Sequence, residues 1–308
     1  MQMKHKNFFQ RLMMPLPELE EYYRAQRAER YKNNEAIRGI KWRKRVHGLV
    51  ISLIKLNCAV SGMKLTVIGD HRRKADHPLI YACTHVGRYD IEMAFQTIRD
   101  PLWLFMGDPG LVYKDLDGLI LWFNGVIFTD TAYVEDRYIG KETCLKTLEQ
   151  GGNLLIYPEG AWNITENQVV MPLFTGTAEM AIRTGAEIVP IAIEHYGKHY
   201  YANVGENISP AGYELSQKQL LTDHLRDVLC TLKWEIWEQF PSTSRASLPV
   251  DAAEQYLAEI MSQSENGYTV EEIIRTRFHR KETSPEEAFA HLKRLVPCRE
   301  NAFLFREK

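Results

Sequence analysis

The sequence predicts an α/β protein with a mostly parallel central sheet flanked by helices, an N-terminal amphipathic helix and a C-terminal helical extension. Two observations favour this class. Short apolar runs alternate with helical patterns over residues 38–212, which is typical of strands and helices taken in turn. From about residue 215 the pattern becomes helical throughout. We therefore expect an N-terminal arm over 1–37, an α/β domain over 38–212 and a helical extension over 213–308.

The composition is that of an ordinary globular protein. The 308 residues are 45% hydrophobic and 25% charged, and the formal net charge is −2. Because there is no overall basic signature, no nucleic-acid partner is expected. The five cysteines are odd in number and far apart, which fits a reduced cytoplasmic setting. We expect no signal peptide, and no run reaches the roughly 18–20 apolar residues of a membrane span.

Residues 38–62 predict an amphipathic helix that begins with a cluster of basic residues and ends at Gly62. Within the N-terminal arm, residues 18–32 predict a charged helix. One stripe carries lysines and small residues, and a second stripe is apolar: Trp42, Val46, Leu49, Leu53 and Leu56. The first 50 residues hold twelve Lys or Arg against five Asp or Glu. A basic amphipathic helix is typical of a membrane surface. The alternative is a helix packed on the sheet with ordinary surface lysines.

The stretch 78–90, PLIYACTHVGRYD, places a histidine and an aspartate where they can meet. Its apolar run Leu79–Cys83 predicts a buried strand, and Asp90 begins a helical pattern that runs to about residue 99. His85 then lies in the turn between them. Asp90 can accept a hydrogen bond from one imidazole nitrogen and leave the other free to take a proton. The stretch therefore predicts a general base.

The His-x4-Asp spacing is weak evidence by itself, and the chain holds a second match, His71 to Asp76. That match lies in a charged run with no helical pattern after it, and we interpret it as a solvated loop.

The remaining patterns predict further strands at 64–69, 102–106, 154–157, 187–195 and 200–204, and helices at 134–150 and 176–184. Asp130 and Glu159, like His85, directly follow apolar runs. Reactive groups in open α/β sheets gather beyond the carboxyl ends of the strands, so all three are expected at one edge.

The helical extension begins with an apolar stripe made of Leu221, Leu225, Val228, Leu232 and Ile236, and then shows capping boxes that begin at Asp251, Thr269 and Ser284. It is either a partner-binding or lid subdomain, or an appendage that shields the sheet.

Four blocks together resemble the glycerolipid acyltransferase family (glycerol-3-phosphate and 1-acylglycerol-3-phosphate acyltransferases): THVGRYD at 84–90, GVIFTD at 125–130, LLIYPEG at 154–160 and IVPIAI at 188–193. The resemblance covers about residues 40–205. It implies that His85, with Asp90, deprotonates an acceptor hydroxyl, which attacks an acyl thioester of CoA or of acyl carrier protein. It also implies acceptor-binding roles for Asp130, Thr131, Pro158, Glu159 and Gly160. No metal and no prosthetic group are expected.

The chain departs from the family pattern at three positions. Thr131, Trp162 and Thr175 stand where members usually carry basic residues that can neutralise a phosphate. This argues against simple glycerol phosphate or lysophosphatidate as the acceptor. The apolar run 119–123 is a candidate wall of an acyl-chain pocket, and plain core packing is its alternative.

The resemblance favours the membrane interpretation of the 38–62 helix, since a lipid-like acceptor must be drawn from a bilayer. We thus expect a cytoplasmic protein that is peripheral on the inner face of the membrane. Two other functions stay open: an acyl thioesterase, in which water replaces the acceptor, and a non-catalytic lipid-binding or membrane-adaptor protein.

Overall fold

The computed structural model describes residues 6–87, 89–107, 110–114, 116–165, 168–262 and 269–277. Over these ranges seven strands form one sheet: β1 Lys64–Asp70, β2 Leu79–Cys83, β3 Leu102–Gly107, β4 Val126–Thr129, β5 Asn153–Ile156, β6 Glu187–Tyr196 and β7 His199–Val204. Their order is β1-β7-β6-β2-β5-β3-β4. All neighbours are parallel except β6 and β7, which form an antiparallel hairpin. The predicted mostly parallel α/β sheet is confirmed.

Strand β2 lies in the interior of the sheet, between β6 and β5. All five of its residues are buried, because successive side chains of a strand point to opposite faces and both faces are covered here. Tyr81 and Cys83 join one core cluster, and Ile80 and Ala82 join the other. The apolar run that predicted this strand is therefore explained by burial on two sides.

Helices cover both faces of this sheet. The helices of the described ranges are, in chain order, α1 Phe8–Leu12, α2 Leu16–Lys32, α3 Ile40–Val60, α4 Asp90–Ile98, α5 Leu116–Asn124, α6 Val134–Glu149, α7 Gly176–Thr184, α8 Lys218–Trp237, α9 Ala252–Ser262 and α10 Val270–Thr276. Side chains of α3, α4 and α5 share a core with one face, and those of α6, α7 and α8 with the other. This gives the three-layer arrangement expected of an α/β fold.

Helix α3 is apolar on two sides. Its buried side consists of His47, Val50, Ile51, Ile54 and Cys58. The apolar stripe predicted from the sequence faces outward instead, with Leu49 64% and Leu56 62% exposed. The helix thus packs on the sheet and also displays an apolar face. Within the described ranges, no helix combines the length and the apolarity needed to cross a bilayer.

The arm helix α2 packs beside the first turn of α6. Arg27 forms a bidentate ion pair with Asp136, at 2.9 Å from Nε to Oδ1 and 2.6 Å from Nη2 to Oδ2. Leu19 and Tyr22 are buried on the same helix. The predicted charged helix is therefore a docked element, while the domain boundaries proposed above stay a prediction.

In the C-terminal extension, α8 covers the sheet, which agrees with the shielding alternative. The predicted capping box of α10 is present, since the side chain of Thr269 accepts from the Glu272 amide and the Glu272 carboxylate accepts from the Thr269 amide. The box predicted at Ser284 lies outside the described residues.

Candidate active site

His85 and Asp90 meet as the sequence predicts. Thr84 continues the pairing of β2 with β6, and His85 follows it in the turn. Asp90 is the first residue of α4 and is fully buried. Its Oδ2 lies 2.8 Å from His85 Nδ1 and also accepts the backbone amides of Val86 at 2.7 Å and Gly87 at 3.0 Å. A carboxylate is favoured at this position because helix N-termini attract negative charge.

The imidazole is held in one orientation. Its ring centroid lies 4.3 Å from that of Tyr157, at an interplanar angle of 31°. Trp162 lies edge-on, with centroids 6.2 Å apart at 85°. With Nδ1–H donating to Asp90, Nε2 is the nitrogen that can accept a proton. The His85 side chain is 17% exposed, and no described residue hydrogen-bonds Nε2. The geometry suits a general base that works on a group arriving from outside.

Glu159 lies under His85, with 1% of its surface exposed. Its Oε1 accepts the backbone amide of His85 at 3.0 Å, and its Oε2 accepts the amide of Met171 at 2.8 Å. Burial raises the pKa of Glu159, and the charge of Lys233 together with the two backbone amides offsets part of that rise. The carboxylate therefore anchors the turn that carries His85. The acceptor contact predicted for Glu159 stays a prediction.

Pro158 and Gly160 shape the turn around this anchor. The carbonyl of Pro158 accepts the amide of Phe174 at 2.9 Å. Gly160 has φ +73°, and a Cβ built on it would lie 2.5 Å from the Phe174 ring. Both observations favour glycine at residue 160. The predicted acceptor contacts of Pro158 and Gly160 are likewise untested.

Asp130 and Thr131 lie at the same edge of the sheet as His85, but β5 and β3 stand between them. Neighbouring strands are about 4.8 Å apart, so the ends of β2 and β4 are separated by roughly 14 Å. Asp130 Oδ2 pairs with Arg24 Nη1 at 2.7 Å, and the carbonyl of Thr131 accepts from Arg137. The structure thus gathers His85, Asp90 and Glu159 and leaves this pair apart.

Sequence reasoning missed two groups beneath the site, both on α8. Arg226 donates to the carbonyls of Val170 and Met171. Lys233 is 4% exposed, and its Nζ lies 3.3 Å from Glu194 Oε2. Of these two residues, only Lys233 could have been noticed in the sequence, because it lies among the mostly apolar residues of one face of α8. A buried lysine needs a partner, which should have prompted a search for one.

Trp162 occupies one of the three positions where the family usually has a basic residue. It is 8% exposed and packs in a cluster with Ala161, Met171, Ile260 and Ile273. The last two come from α9 and α10, so the C-terminal helices close one side of the site. This wall next to His85 is apolar.

Residues 64–194 match the family described as Acyltransferase, which covers the sheet from β1 to β6 and the His–Asp pair. A 1-acyl-sn-glycerol-3-phosphate acyltransferase of Borreliella burgdorferi is 22% identical over 151 residues, which are 49% of this chain and 59% of the relative. The chain therefore spans about three fifths of this curated relative.

A solved structure supports the same fold. The crystal structure of the 1-acyl-sn-glycerophosphate (LPA) acyltransferase PlsC from Thermotoga maritima superposes with a TM-score of 0.54 at 14% identity. The match covers 74% of this chain and 95% of that one. The sheet, the site and the family match together make this chain similar to α/β acyltransferases. The two named relatives are both acyltransferases of the glycerolipid type.

Proposed function

We propose that this protein transfers a fatty acyl group from an acyl thioester, acyl-CoA or acyl carrier protein, to a hydroxyl of a glycerolipid-type acceptor. The observation that carries the proposal is the hydrogen bond between His85 Nδ1 and Asp90 at the carboxyl edge of the sheet. The other ring nitrogen of His85, Nε2, accepts no hydrogen bond from the described residues and donates none to them. The curated relative and the PlsC structure are both named as acyltransferases of 1-acyl-sn-glycerophosphate, which supports a glycerolipid acceptor.

The proposed reaction needs one base and no prosthetic group. Nε2 of His85 takes the proton of the acceptor hydroxyl as its oxygen attacks the thioester carbonyl. The tetrahedral intermediate then collapses, the C–S bond breaks, and the imidazolium returns the proton to the leaving thiolate. Asp90 holds the ring and stabilises its charged form. A base in this position is worth about 10²- to 10⁴-fold in rate.

The acceptor we infer does not carry a phosphate monoester. Two basic side chains near the β4 end are already engaged: Arg137 donates to the Thr131 carbonyl, and Lys141 Nζ lies 2.5 Å from Glu179 Oε1. Trp162 gives the side nearest His85 an apolar wall. A phosphate buried there without a paired cation would be strongly disfavoured.

The experiment is a product analysis with the full chain. Labelled acyl-CoA and acyl carrier protein are incubated with lysophosphatidate, its headgroup esters and monoacylglycerol, and the products are identified by mass spectrometry. We expect an acyl ester of a non-phosphomonoester acceptor with the wild type and none with a folded His85→Ala variant. Substantial turnover by that variant removes His85 as the base, and preferred acylation of lysophosphatidate overturns the inferred acceptor.

The two alternatives give different products. A thioesterase releases free fatty acid at full rate when no acceptor is present, which Trp162 in place of a basic residue makes chemically reasonable. A non-catalytic lipid-binding or membrane-adaptor protein turns over no thioester at all.

We further propose that the protein works as a peripheral protein on the inner, cytoplasmic face of the membrane. Its α3–α5 surface consists of exposed apolar residues of α3 and α5: Trp42, Leu49, Leu53, Leu56, Val60, Trp122 and Phe123. Exposed Lys41, Arg45 and Lys55 lie on the same α3 helix. Apolar side chains beside basic ones suit a bilayer with anionic headgroups, where each basic residue contributes about 1 kcal/mol.

This proposal is tested by co-sedimentation with vesicles of phosphatidylglycerol and phosphatidylcholine. The Leu49→Asp/Leu53→Asp variant should bind at least about tenfold more weakly, since two exposed leucines that would enter the bilayer are replaced by two charges that anionic headgroups repel. Leu220→Asp is the matched control, because Leu220 is 58% exposed on α8 at the opposite face of the sheet. Equal vesicle binding by all three proteins would exclude the α3–α5 surface.

A further inference from the structure

The segment at residues 170–171 connects α8 to the catalytic turn. Arg226 Nε lies 3.0 Å from the carbonyl oxygen of Val170 and 3.1 Å from that of Met171, and its Nη2 lies 2.7 Å from Val170. Both residues of the segment are fully buried. The Met171 amide donates to Glu159, whose other oxygen accepts the His85 amide. An unbroken series of hydrogen bonds thus runs from α8 to the backbone of the base.

The backbone of His85 is held on both sides by the segment after β5. Glu159 accepts its amide, and the Asn163 amide donates to its carbonyl at 2.8 Å. The two contacts fix where the imidazole leaves the main chain. Loss of either one would let the ring move relative to Asp90, and displacements of about 1 Å at a catalytic group can cost 10²-fold in rate.

Helix α8 also supplies a buried charge. Lys233 is two turns beyond Arg226 on the same helix, and its Nζ pairs with Glu194 at 3.3 Å. Its positive charge reaches Glu159 as well and works against the effect of burial there. Among the described residues, the other ionisable groups that interact with Glu159 include His85 and Cys83 from β2 and its turn, Cys230 from α8 and Tyr256 from α9. Lys233 is the cation in this set that does not depend on His85 being protonated.

We propose that Arg226 and Lys233 are positioning residues that hold His85 in its catalytic orientation through Glu159. Arg226 fixes the far end of the link through its hydrogen bonds to the carbonyls of residues 170 and 171. The buried positive charge of Lys233 on the same helix favours the ionised form of the Glu159 carboxylate, which accepts the two backbone amides. Both lie beyond the family-matched residues 64–194. Helix α8 is therefore part of this chain's catalytic apparatus. The inference rests on the proposed acyl transfer.

The test is the pH dependence of kcat in Lys233→Met. Without the lysine, the pKa of Glu159 rises further, so the carboxyl becomes protonated at a higher pH and loses one of its two amide contacts. We expect kcat of Lys233→Met to fall relative to wild type toward acid pH, by at least tenfold at the acid end of the profile, and to recover toward alkaline pH, because one pKa unit changes the ionised fraction about tenfold. Lys233→Arg should restore the wild-type profile.

Two further variants separate positioning from other effects. Lys233→Met/Glu194→Gln removes the orphaned carboxylate that would otherwise destabilise the single variant, and it should show the same displaced profile. In a Glu159→Gln background, adding Lys233→Met should leave the profile unchanged. A profile that still moves in that background shows that Lys233 acts directly on His85 and overturns the inference, as does an unaltered profile in Lys233→Met.

Failure of the proposed function would look different. ¹⁵N-histidine NMR of His85, assigned with His85→Ala, reports the Nδ1 proton without any substrate. If the wild type turns over no thioester, the acyl-transfer proposal fails, and the NMR comparison still decides whether Lys233→Met disturbs the hydrogen bond to Asp90 at acid pH. An unchanged Nδ1 signal overturns the positioning role.

Discussion

The Asp90→Asn variant tests the catalytic pair with little change in side-chain size. Asp90 Oδ2 accepts three hydrogen bonds, from His85 Nδ1 and from the amides of Val86 and Gly87. A bond to a charged acceptor is worth about 1.5–3 kcal/mol and a bond to a neutral one about 0.5–1.5 kcal/mol. Losing roughly 1 kcal/mol at each bond lowers the free energy of unfolding by about 3 kcal/mol.

The kinetic effect of Asp90→Asn is expected to be larger. The neutral amide neither fixes the Nδ1–H tautomer nor stabilises the imidazolium that forms when His85 takes a proton. We expect kcat/KM to fall about 10²- to 10⁴-fold, which corresponds to about 2.7–5.4 kcal/mol of transition-state stabilisation. The assay follows free thiol released from acyl-CoA in the presence of the best acceptor, and urea unfolding gives the stability change.

Asp76→Asn is the matched control. His71 and Asp76 have the same spacing in the sequence, but Asp76 has a fully exposed side chain in a surface loop, as predicted. This variant should keep the wild-type rate and stability. Should Asp90→Asn also stay within about threefold of the wild-type rate, the assignment of His85 as an Asp-oriented base is wrong.

Three further outcomes are expected. Gly160→Ala should lose about 2–4 kcal/mol of stability in thermal unfolding, since its Cβ meets the Phe174 ring at 2.5 Å. Gly151→Ala is the control, because residue 151 also has a positive φ of +83° but open space around it, and it should lose only about 1–2 kcal/mol. Equal losses would contradict the steric argument. Arg27→Met should expose the arm helix to limited proteolysis and lower the free energy of unfolding by about 3–5 kcal/mol, because it leaves the buried Asp136 unpaired. Arg38→Ala is the control: it removes the surface ion pair with Glu35, in which the arginine is 79% exposed, and should change neither quantity measurably. Arg226→Met should lower kcat about 10²-fold with KM for the thioester unchanged, and Arg226→Lys should recover part of it; a change in KM alone would argue for a role in donor binding.

Local patterns in the sequence were enough to predict the strands and the contact between His85 and Asp90. The apolar run of β2, the turn and the start of α4 are neighbours in the chain, so the distance between His85 and Asp90 depends on only five intervening peptide bonds. Long-range pairing was different. Nothing local indicates that β7 lies between β1 and β6 and runs antiparallel to β6, because that order depends on contacts between distant segments.

The environment of Glu159 could not be predicted for the same reason. A carboxylate in a Pro-Glu-Gly turn suggests a ligand for the acceptor. In the structure, Glu159 Oε2 instead accepts the backbone amide of Met171, and because Met171 lies in an irregular segment, no sequence pattern predicts this hydrogen bond. The α8 stripe was predicted with Val228, whereas the buried face includes Leu229 and Lys233. An analysis of hydrophobic periodicity assigns any lysine to the surface. The burial of Lys233 could be predicted only by knowing that its partner is Glu194.

The hydrogen bonds that fix His85 have a consequence for biosynthesis. They join backbone near residue 85 to Glu159, to Met171 and finally to Arg226. A ribosome synthesises these parts one after another, and a nascent chain that ends at β7 already contains the base but not the helix that completes its support. We therefore expect ribosome-stalled chains released at increasing lengths to acquire the proposed acyl transfer only once α8 has left the exit tunnel.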